Sequence, residues 1–337
     1  MNGEGKISRA GADQGDGDPR EVSVRPAVAA DRGAVLDFCA NTWPGGDYIP
    51  YVWEDWLNDA RGRLLAADLG GRAVGIAHVQ RLADGSAWLE GLRVDPAVRR
   101  RGIARLLTQA SLDAARELAG RGAIARLMVS ERNAVSRHLV ERSGFRLERR
   151  SWLMEREAVN DGGAPADEHS SAAEAARALG APRREDEPPQ EDPLAGLELA
   201  RVPEAEAARL AGLLRDDPPA SLLPVRPGLV WEWAWVSLHP AGLTDLAGQG
   251  VLWTARRRGM LAAVAALGRS GPDDDLLLAP LAGTALLLAA LARGWPGAGA
   301  PQWLSILDTP EDGELARRAG FHAGNRSHGQ LIYAQVL

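Results

Sequence analysis

One stretch, residues 88–104, limits the possible folds more than any other part of this 337-residue chain. The apolar residues between Trp88 and Val94 predict a buried strand, and the pair Asp95-Pro96 marks a turn after it. A basic, glycine-containing loop follows. It leads directly into a helix whose apolar residues recur at spacings of three and four. The stretch therefore predicts a strand–loop–helix unit with a basic loop at the start of the helix.

This arginine loop, residues 99–102, has the chemistry of an anion-binding site. The first amides of a helix lack partners within the helix, and the helix dipole leaves partial positive charge there. Gly102 lets an anion approach those amides, and the side chains of Arg99, Arg100 and Arg101 add positive charge. The expected ligand is a phosphate or pyrophosphate, and the alternative is a solvated patch of arginines. The loop contains neither the lysine motif of nucleoside-triphosphate sites nor the three-glycine dinucleotide motif.

Two motifs in order resemble the GNAT superfamily of acetyl-CoA-dependent N-acetyltransferases. They are Arg99-x-x-Gly102-x-Ala104 and, beyond one more strand, a helix that starts at Asn133 and ends in Gly144-Phe145. The resemblance covers residues 21–157, where the elements read strand, two helices, three antiparallel strands, helix, strand, helix, strand. It implies a mixed, mostly antiparallel sheet flanked by helices. That sheet is expected to splay open between its fourth and fifth strands, where coenzyme A enters.

The same resemblance implies how acetyl-CoA is held. The backbone of Leu92, Arg93 and Val94 is expected to pair with the pantetheine arm as an added strand would. The diphosphate and the rest of the coenzyme are expected at Arg99, Arg100, Arg101, Gly102, Ile103, Ala104, Arg105 and Asn133. An N-cap of the following helix is a second role open to Asn133.

Acetyl transfer to an amine needs a base for the amine and a proton for the departing thiolate. Superfamily members often place the base on the strand beside the gap, which makes Glu90 the first candidate; strand alternation leaves open which face it occupies. His78 on the preceding strand is a second candidate, or else a sheet histidine with its hydrogen bonds satisfied. Val140 occupies the position where the superfamily usually has its proton-donating tyrosine. The acid is therefore expected to be Tyr48 or Tyr51, or else water.

An aromatic segment, residues 43–53, contains two prolines and two glycines, which exclude a continuous helix across it. Its rings predict a lid over a ligand, with Asp47, Tyr48, Tyr51 and His78 as candidate substrate contacts. The alternative is that the rings, Trp53 above all, cover the core. Residues 46–50, 56–57 and 90–94 are also similar to the vertebrate histidine N-acetyltransferase-like proteins. That similarity implies an α-amino acid or a similar small amine as acceptor.

The second half of the chain repeats the first faintly. A strand at 303–307, a helix ending in Gly320-Phe321 and a last strand follow the spacing seen at 139–145, although one helix ending in Gly-Phe can also match by chance. We therefore expect a disordered tail at 1–20, a domain at 21–157, a solvated linker at 158–195 and a degenerate second GNAT-like domain at 196–337. The matching junction, residues 279–283, has no arginine cluster, so a phosphate is expected to meet no guanidinium there.

Charge and composition exclude other classes. A net charge of −6 argues against a general nucleic-acid binder. The single Cys39 excludes a disulfide framework and a cysteine-rich zinc site, and we expect no metal. The longest uncharged run, residues 276–292, is divided by Pro280 and Gly283 and so predicts a strand and a helix rather than a membrane span. Residues 1–20 have no apolar core, so no signal peptide is predicted. A cytoplasmic monomer or homodimer is expected.

These observations predict an N-acetyltransferase that acts on a small-molecule amine, amino acids included, by direct attack in a ternary complex. Two other functions stay open. One is an acetyltransferase for protein or peptide N-termini, which needs an open groove. The other is a non-catalytic acetyl-CoA-binding regulatory protein, which the valine at position 140 makes plausible.

Overall fold

The computed structural model describes residues 21–40, 42, 46–156, 196–231, 234–270, 275–292, 303–307, 309–322 and 329–337. The expected tail and linker, and residues 43–45 of the aromatic segment, lie outside these ranges. We call residues 21–156 the first half and residues 196–337 the second half. Within the described ranges, no helix is both long enough and apolar enough to cross a membrane.

The first half has the predicted element order. Its elements are β1 (Val22–Pro26), α1 (Arg32–Cys39), α2 (Ile49–Leu57), β2 (Gly62–Leu69), β3 (Arg72–Arg81), β4 (Ala87–Val94), α3 (Ile103–Ala119), β5 (Ile124–Ser130), α4 (Ala134–Arg142) and β6 (Arg146–Glu155).

The aromatic segment is helical only from Ile49 onward, and residues 46–48 precede α2 without helix. No continuous helix therefore crosses the segment, as expected. Pro50 stands in the first turn of α2, where a residue without an amide hydrogen removes no bond within the helix.

The second half repeats this order, as the sequence predicted. Its elements are β7 (Leu197–Arg201), α5 (Glu204–Asp216), β8 (Gly228–Trp231), β9 (Ala234–Ser237), α6 (Pro240–Gly248), β10 (Leu252–Arg257), β11 (Met260–Ser270), β12 (Asp275–Ala282), α7 (Thr284–Ala292), β13 (Trp303–Leu307), α8 (Pro310–Arg318) and β14 (Gly329–Val336). The second half also contains an added hairpin, β8–β9, which the sequence did not predict.

The two halves share one twelve-stranded sheet, in the order β1-β2-β3-β4-β5-β14-β6-β13-β12-β11-β10-β7. The last strand of the chain, β14, lies antiparallel between β5 and β6 of the first half. The last strand of the first half, β6, pairs in turn with β13 of the second half. Each half therefore takes a strand from the other, and the edge that β5 would otherwise expose is paired.

Successive residues of β2 show how the helices are distributed over the first half. Leu65 and Ala67 join the core cluster of α3, whereas Leu64 and Ala66 join the cluster of α1 and α2. Since successive side chains of a strand point to opposite faces, α3 covers one face and α1 and α2 cover the other. On the α1–α2 face, Trp88 of β4 packs in one cluster with Trp235 of the β8–β9 hairpin. A part of the second half therefore lies beside β4.

Candidate functional site

A gap opens in the sheet between β4 and β5. These parallel strands are paired only from Ala87 to Leu89 on the β4 side. Immediately after that, β4 has one extra residue relative to β3 and Gly91 adopts a φ of +67°, which together form a β-bulge. A bulge bends its strand and increases the twist. Residues 90–94 consequently turn away from β5, and their backbone groups on that side have no strand partner in the described part of the chain.

The arginine loop lies next to this gap. Gly102 is the N-cap of α3 with a φ of +79°, and a methyl group there would meet no atom within 4 Å. Arg99 and Arg100 are both exposed, and Arg100 also has a positive φ, +65°. The amides of the first turn of α3 are thus open to an anion, and the side chains of the loop surround the approach. The open loop and the unpaired strand edge both fit the phosphates and the extended arm of a coenzyme.

Asn133 caps α4, which is one of the two roles considered for it. Its side-chain oxygen accepts a hydrogen bond of 3.0 Å from the amide of Ser136. A contact between Asn133 and the coenzyme stays a prediction. It is compatible with the N-cap hydrogen bond, because that bond uses only the side-chain oxygen.

Glu90 faces α1 and α2, which resolves the ambiguity of strand alternation. Leu89 belongs to the core cluster of α3, so Glu90 occupies the opposite face. One carboxylate oxygen of Glu90 lies 3.0 Å from His78 Nδ1 and accepts a 3.1 Å hydrogen bond from the amide of Gln80. The side chain of Glu90 is 17% exposed, so a carboxylate held by two neighbours stands where the sheet opens.

His78 connects Glu90 to a second carboxylate. Its ring is 1% exposed and stacks on Trp56, with ring centroids 4.6 Å apart and planes inclined by 9°. His78 Nε2 lies 3.6 Å from a carboxylate oxygen of Asp59, and no closer partner for this nitrogen exists in the described residues. The side chain of Asp59 is 21% exposed. Glu90, His78 and Asp59 therefore form a row from the gap towards solvent.

The sequence did not single out Asp59 or Trp56 as site residues. Asp59 follows α2 in a short polar turn and reaches His78 only because Gly62 has no side chain. A methyl group at Gly62 would lie 2.7 Å from His78 Nε2 and 2.9 Å from the carboxylate carbon of Asp59. The glycine is the one local sign of this contact, and its meaning depends on the β2–β3 pairing.

Asp47 anchors the aromatic segment to β4. The side chain of Asp47 is 1% exposed, and its two oxygens accept bonds of 2.7 and 3.1 Å from the guanidinium of Arg93. Burial acts to raise the pKa of Asp47, but the bonds from Arg93 outweigh it, so this pKa lies below its ordinary value. Asp47 is thus an ionised anchor at neutral pH. A direct contact with substrate stays a prediction for it.

The structure brings only one of the two candidate phenols to the site. The ring of Tyr48 meets Trp56 edge-on at 5.9 Å, and the guanidinium of Arg93 lies 5.2 Å above it. Desolvation raises the pKa of Tyr48 to about 12, so this phenol stays protonated at neutral pH. Tyr51, by contrast, is 74% exposed on α2. The third tyrosine, Tyr333, is buried and donates a 2.7 Å hydrogen bond to Glu141.

The comparisons with known proteins agree with this geometry. Residues 34–145 match the model of the acetyltransferase (GNAT) family. This range includes the gap, the arginine loop and the Glu90 row. A search of curated proteins finds no match.

Solved structures share the fold over nearly the whole chain. A GCN5-related N-acetyltransferase from Sphaerobacter thermophilus is 16% identical with a TM-score of 0.55, over 93% of this chain and 95% of that one. A tandem GNAT protein from the clavulanic acid biosynthesis pathway is 16% identical with a TM-score of 0.52, over 94% and 98%. A GCN5-related N-acetyltransferase from Kribbella flavida is 18% identical with a TM-score of 0.51, over 94% and 72%.

At these identities the solved structures establish the fold alone, which is mixed α/β and similar to that of a tandem GNAT protein. The comparisons do not show the narrower likeness to histidine N-acetyltransferase-like proteins. The family model matches residues 34–145, the part of the chain that contains the splayed sheet and the arginine loop.

Proposed function

We propose that the protein is an acetyl-CoA-dependent N-acetyltransferase that acts on the amine of a small molecule, amino acids included, by direct attack in a ternary complex. The observation that carries this proposal is the Glu90 carboxylate, held by His78 and Gln80 at the point where β4 leaves β5. When bound, acetyl-CoA supplies an activated thioester. The family match supports its use, because GNAT enzymes take their acetyl group from this coenzyme.

The chain provides two features that suit the coenzyme. The unpaired edge of β4 offers the backbone of Leu92, Arg93 and Val94 to an extended arm. The arginine loop offers side-chain charge together with the amides of Ile103 and its neighbours. Diphosphate at an open helix start is stabilised by both the amides and the dipole. Arg99 to Arg105 and Asn133 are therefore proposed to hold the coenzyme.

Arg100→Gln is expected to weaken coenzyme binding about 3- to 10-fold, because it removes about one exposed charge interaction, on the order of 1 kcal/mol. Isothermal titration calorimetry with coenzyme A measures the change. Added salt should reduce the difference between the variant and the native protein, since screening weakens exposed charge pairs. Arg121→Gln removes an equally exposed arginine just after α3 and serves as the control. Equal losses in both variants would contradict the assignment of the loop.

The Glu90 row is proposed to take the proton from the acceptor amine. An ordinary alkylamine is protonated at neutral pH, as a lysine side chain is, and it attacks only after losing that proton. Glu90 accepts this proton, and His78 relays a proton towards Asp59 at the solvent side. The 3.6 Å separation between His78 Nε2 and Asp59 is longer than a hydrogen bond. Catalytic contacts of this length commonly tighten when substrate binds.

Gly62→Ala tests the outer part of this row. The added methyl group clashes with both the Asp59 carboxylate and His78 Nε2, so the contact between the two side chains is lost. We expect kcat to fall by about 3- to 10-fold and the acidic limb of its pH profile to move. Gly33→Ala is the matched control, because its methyl group would meet no atom within 4 Å. A lower melting temperature with an unmoved pH profile would assign Gly62 a purely structural role.

Tyr48 is proposed to donate a hydrogen bond rather than a whole proton. Its pKa of about 12 lies well above the value of about 8.5 that is typical of a thiol. Complete transfer from this phenol to a thiolate is therefore unfavourable, and water completes the protonation. A hydrogen bond to the developing negative charge still lowers the barrier.

The walls of the site favour a compact acceptor. Trp56, near the end of α2, and Tyr48, just before its start, lie on one side of Glu90. On the other side the β8–β9 hairpin of the second half packs Trp235 against Trp88, and Ser237 donates a 2.7 Å hydrogen bond to Asp84. A folded element from the second half therefore limits the space along β4, whereas a peptide acceptor needs an open groove.

Release of free thiol from acetyl-CoA, measured with matched panels of acceptors, tests this function. Turnover with free amino acids or other small amines supports it. Turnover with N-terminal peptides alone would establish the peptide acetyltransferase instead. Coenzyme binding without turnover on either panel would establish the non-catalytic regulatory protein.

Three parts of the proposal rest on sequence alone. The choice of an α-amino acid depends on the similarity of residues 46–50, 56–57 and 90–94 noted above. A cytoplasmic location and a monomeric or dimeric state likewise remain predictions.

A further inference from the structure

The second half contains a cavity of about 560 Å³ at the start of α7. The helix begins after Gly283, whose φ is +68°, as α3 begins after Gly102 with a φ of +79°. Each glycine lies between the end of a central strand of the sheet and the start of the helix that follows this strand. The cavity therefore occupies, in the second half, the place that the arginine loop occupies in the first.

Three guanidinium groups line this cavity, contrary to the expectation that a phosphate would meet none. Arg226 comes from the segment before β8, and Arg257 and Arg258 come from the β10–β11 turn. Asp312 of α8 also lines the cavity and pairs with Arg226. Among the described lining residues, three are thus arginines and one is an aspartate. The expectation failed because these arginines lie far from the junction along the chain.

Two buried polar groups of the wall lack hydrogen-bond partners within the described residues. Thr284 in the first turn of α7 is 6% exposed, and its hydroxyl is unpaired. Arg226 is also 6% exposed, and its Nε is unpaired although its terminal nitrogen meets Asp312. Buried polar atoms are normally bonded, so each unpaired atom calls for a partner. Unpaired donors beside a helix start, in a wall that also contains Arg257 and Arg258, suit the oxygens of a phosphate group.

The approach along the strand edge is blocked here, whereas beside the arginine loop it is open. A methyl group on Gly102 would meet no atom within 4 Å, whereas one on Gly283 would lie 2.7 Å from the side chain of Ala263. The amide of Arg226 also donates a 2.9 Å bond to the carbonyl of Leu281, near the end of β12. The chain itself thus occupies the strand edge that corresponds to residues 92–94. The extended arm of a coenzyme has no equivalent path here.

We propose that this cavity binds a compact ligand carrying a phosphate group, at a site separate from the coenzyme site of the first half. Arg258, Arg226, Thr284 and the first amides of α7 bind its oxygens. The side chains on the walls suit a free phosphate or a small phosphate ester. The site stands whether or not the first half proves to be catalytic.

The line width of inorganic phosphate in ³¹P NMR, recorded on the full chain with saturating coenzyme A, tests the proposal. Saturation with coenzyme removes the arginine loop as a competing phosphate site. Arg258→Gln is expected to weaken phosphate binding about 10-fold or more, and Thr284→Val about 3- to 10-fold. Arg209→Gln, an exposed arginine on α5, is expected to bind as the native protein does. Thr284→Val deletes only an unpaired hydroxyl, so the fold is expected to persist in it.

Calorimetry with coenzyme A and with glycerol 3-phosphate separates the possible sources of the phosphate group. One coenzyme per chain, together with phosphate and glycerol 3-phosphate binding that Arg258→Gln weakens, supports the proposal. Binding of two coenzyme A molecules per chain would contradict the proposal that the ligand of this cavity is compact. Absence of phosphate binding, or equal binding by Thr284→Val, Arg258→Gln and the native chain, would overturn the site itself.

Discussion

Glu90→Gln is expected to lower kcat by about 10²- to 10⁴-fold while leaving the affinity for coenzyme A unchanged. Glutamine keeps the size of the side chain and one acceptor oxygen for His78 or Gln80, so the row of side chains is preserved. It cannot accept the proton of an ammonium acceptor. The arginine loop lies on another element, and the coenzyme is held there without help from Glu90.

The measurement is steady-state turnover with the best acceptor found, together with calorimetry of coenzyme binding. Glu117→Gln, an exposed glutamate on α3, provides the same chemical change away from the gap. The loss in Glu90→Gln should shrink at high pH, where a growing fraction of the acceptor is already deprotonated. A rate within threefold of the native value at neutral pH would mean that the proton leaves by another route.

Leu331→Ala is expected to lower the free energy of unfolding by about 2–5 kcal/mol, although the residue lies only six positions from the end of the sequence. Leu331 is 2% exposed and pairs across β14 with Val129 of the first half. It belongs to the core cluster under α3. The truncation therefore leaves a cavity in the core of the first half, made by a strand of the second.

Val336→Ala is the matched control. It shortens another aliphatic side chain of the same strand, but one that is 69% exposed, so the expected change is about 0.5 kcal/mol or less. Urea denaturation followed by tryptophan fluorescence compares the two variants. Coenzyme A should stabilise both by similar amounts. Two separate transitions, with only the second-half transition shifted by Leu331→Ala, would show that β14 does not support the first half.

Much of the geometry of the proposed coenzyme site could be predicted from sequence because its parts are adjacent in the chain. Strand, arginine loop and helix lie within residues 88–104, and short-range rules on helix starts and glycine apply to them directly. The hydrophobic periods likewise predicted the element order of the first half and the strands and helices after residue 275 in the second. The start of α2 at Ile49 was not predicted, because a proline is compatible with the first turn of a helix and the pattern did not show where that turn began.

The acid–base part of the site could not be predicted to the same extent. Asp59 meets His78 across the space left by Gly62, and Trp56 closes over the same imidazole. Neither contact has a spacing or composition that marks it. The ion pair between Asp47 and Arg93 spans 46 positions and is equally invisible in the linear pattern.

The sequence by itself determined the identity of the elements, the arginine loop at a helix start and the repetition of one fold along the chain, because these depend on interactions between near neighbours. Tertiary structure alone decided which face Glu90 occupies, how β6 and β14 are exchanged between the halves, and how Arg226 and Arg258 meet at α7. Strand pairing and packing join residues more than a hundred positions apart. Contacts of that range follow from the whole sheet, since no local sequence pattern specifies them.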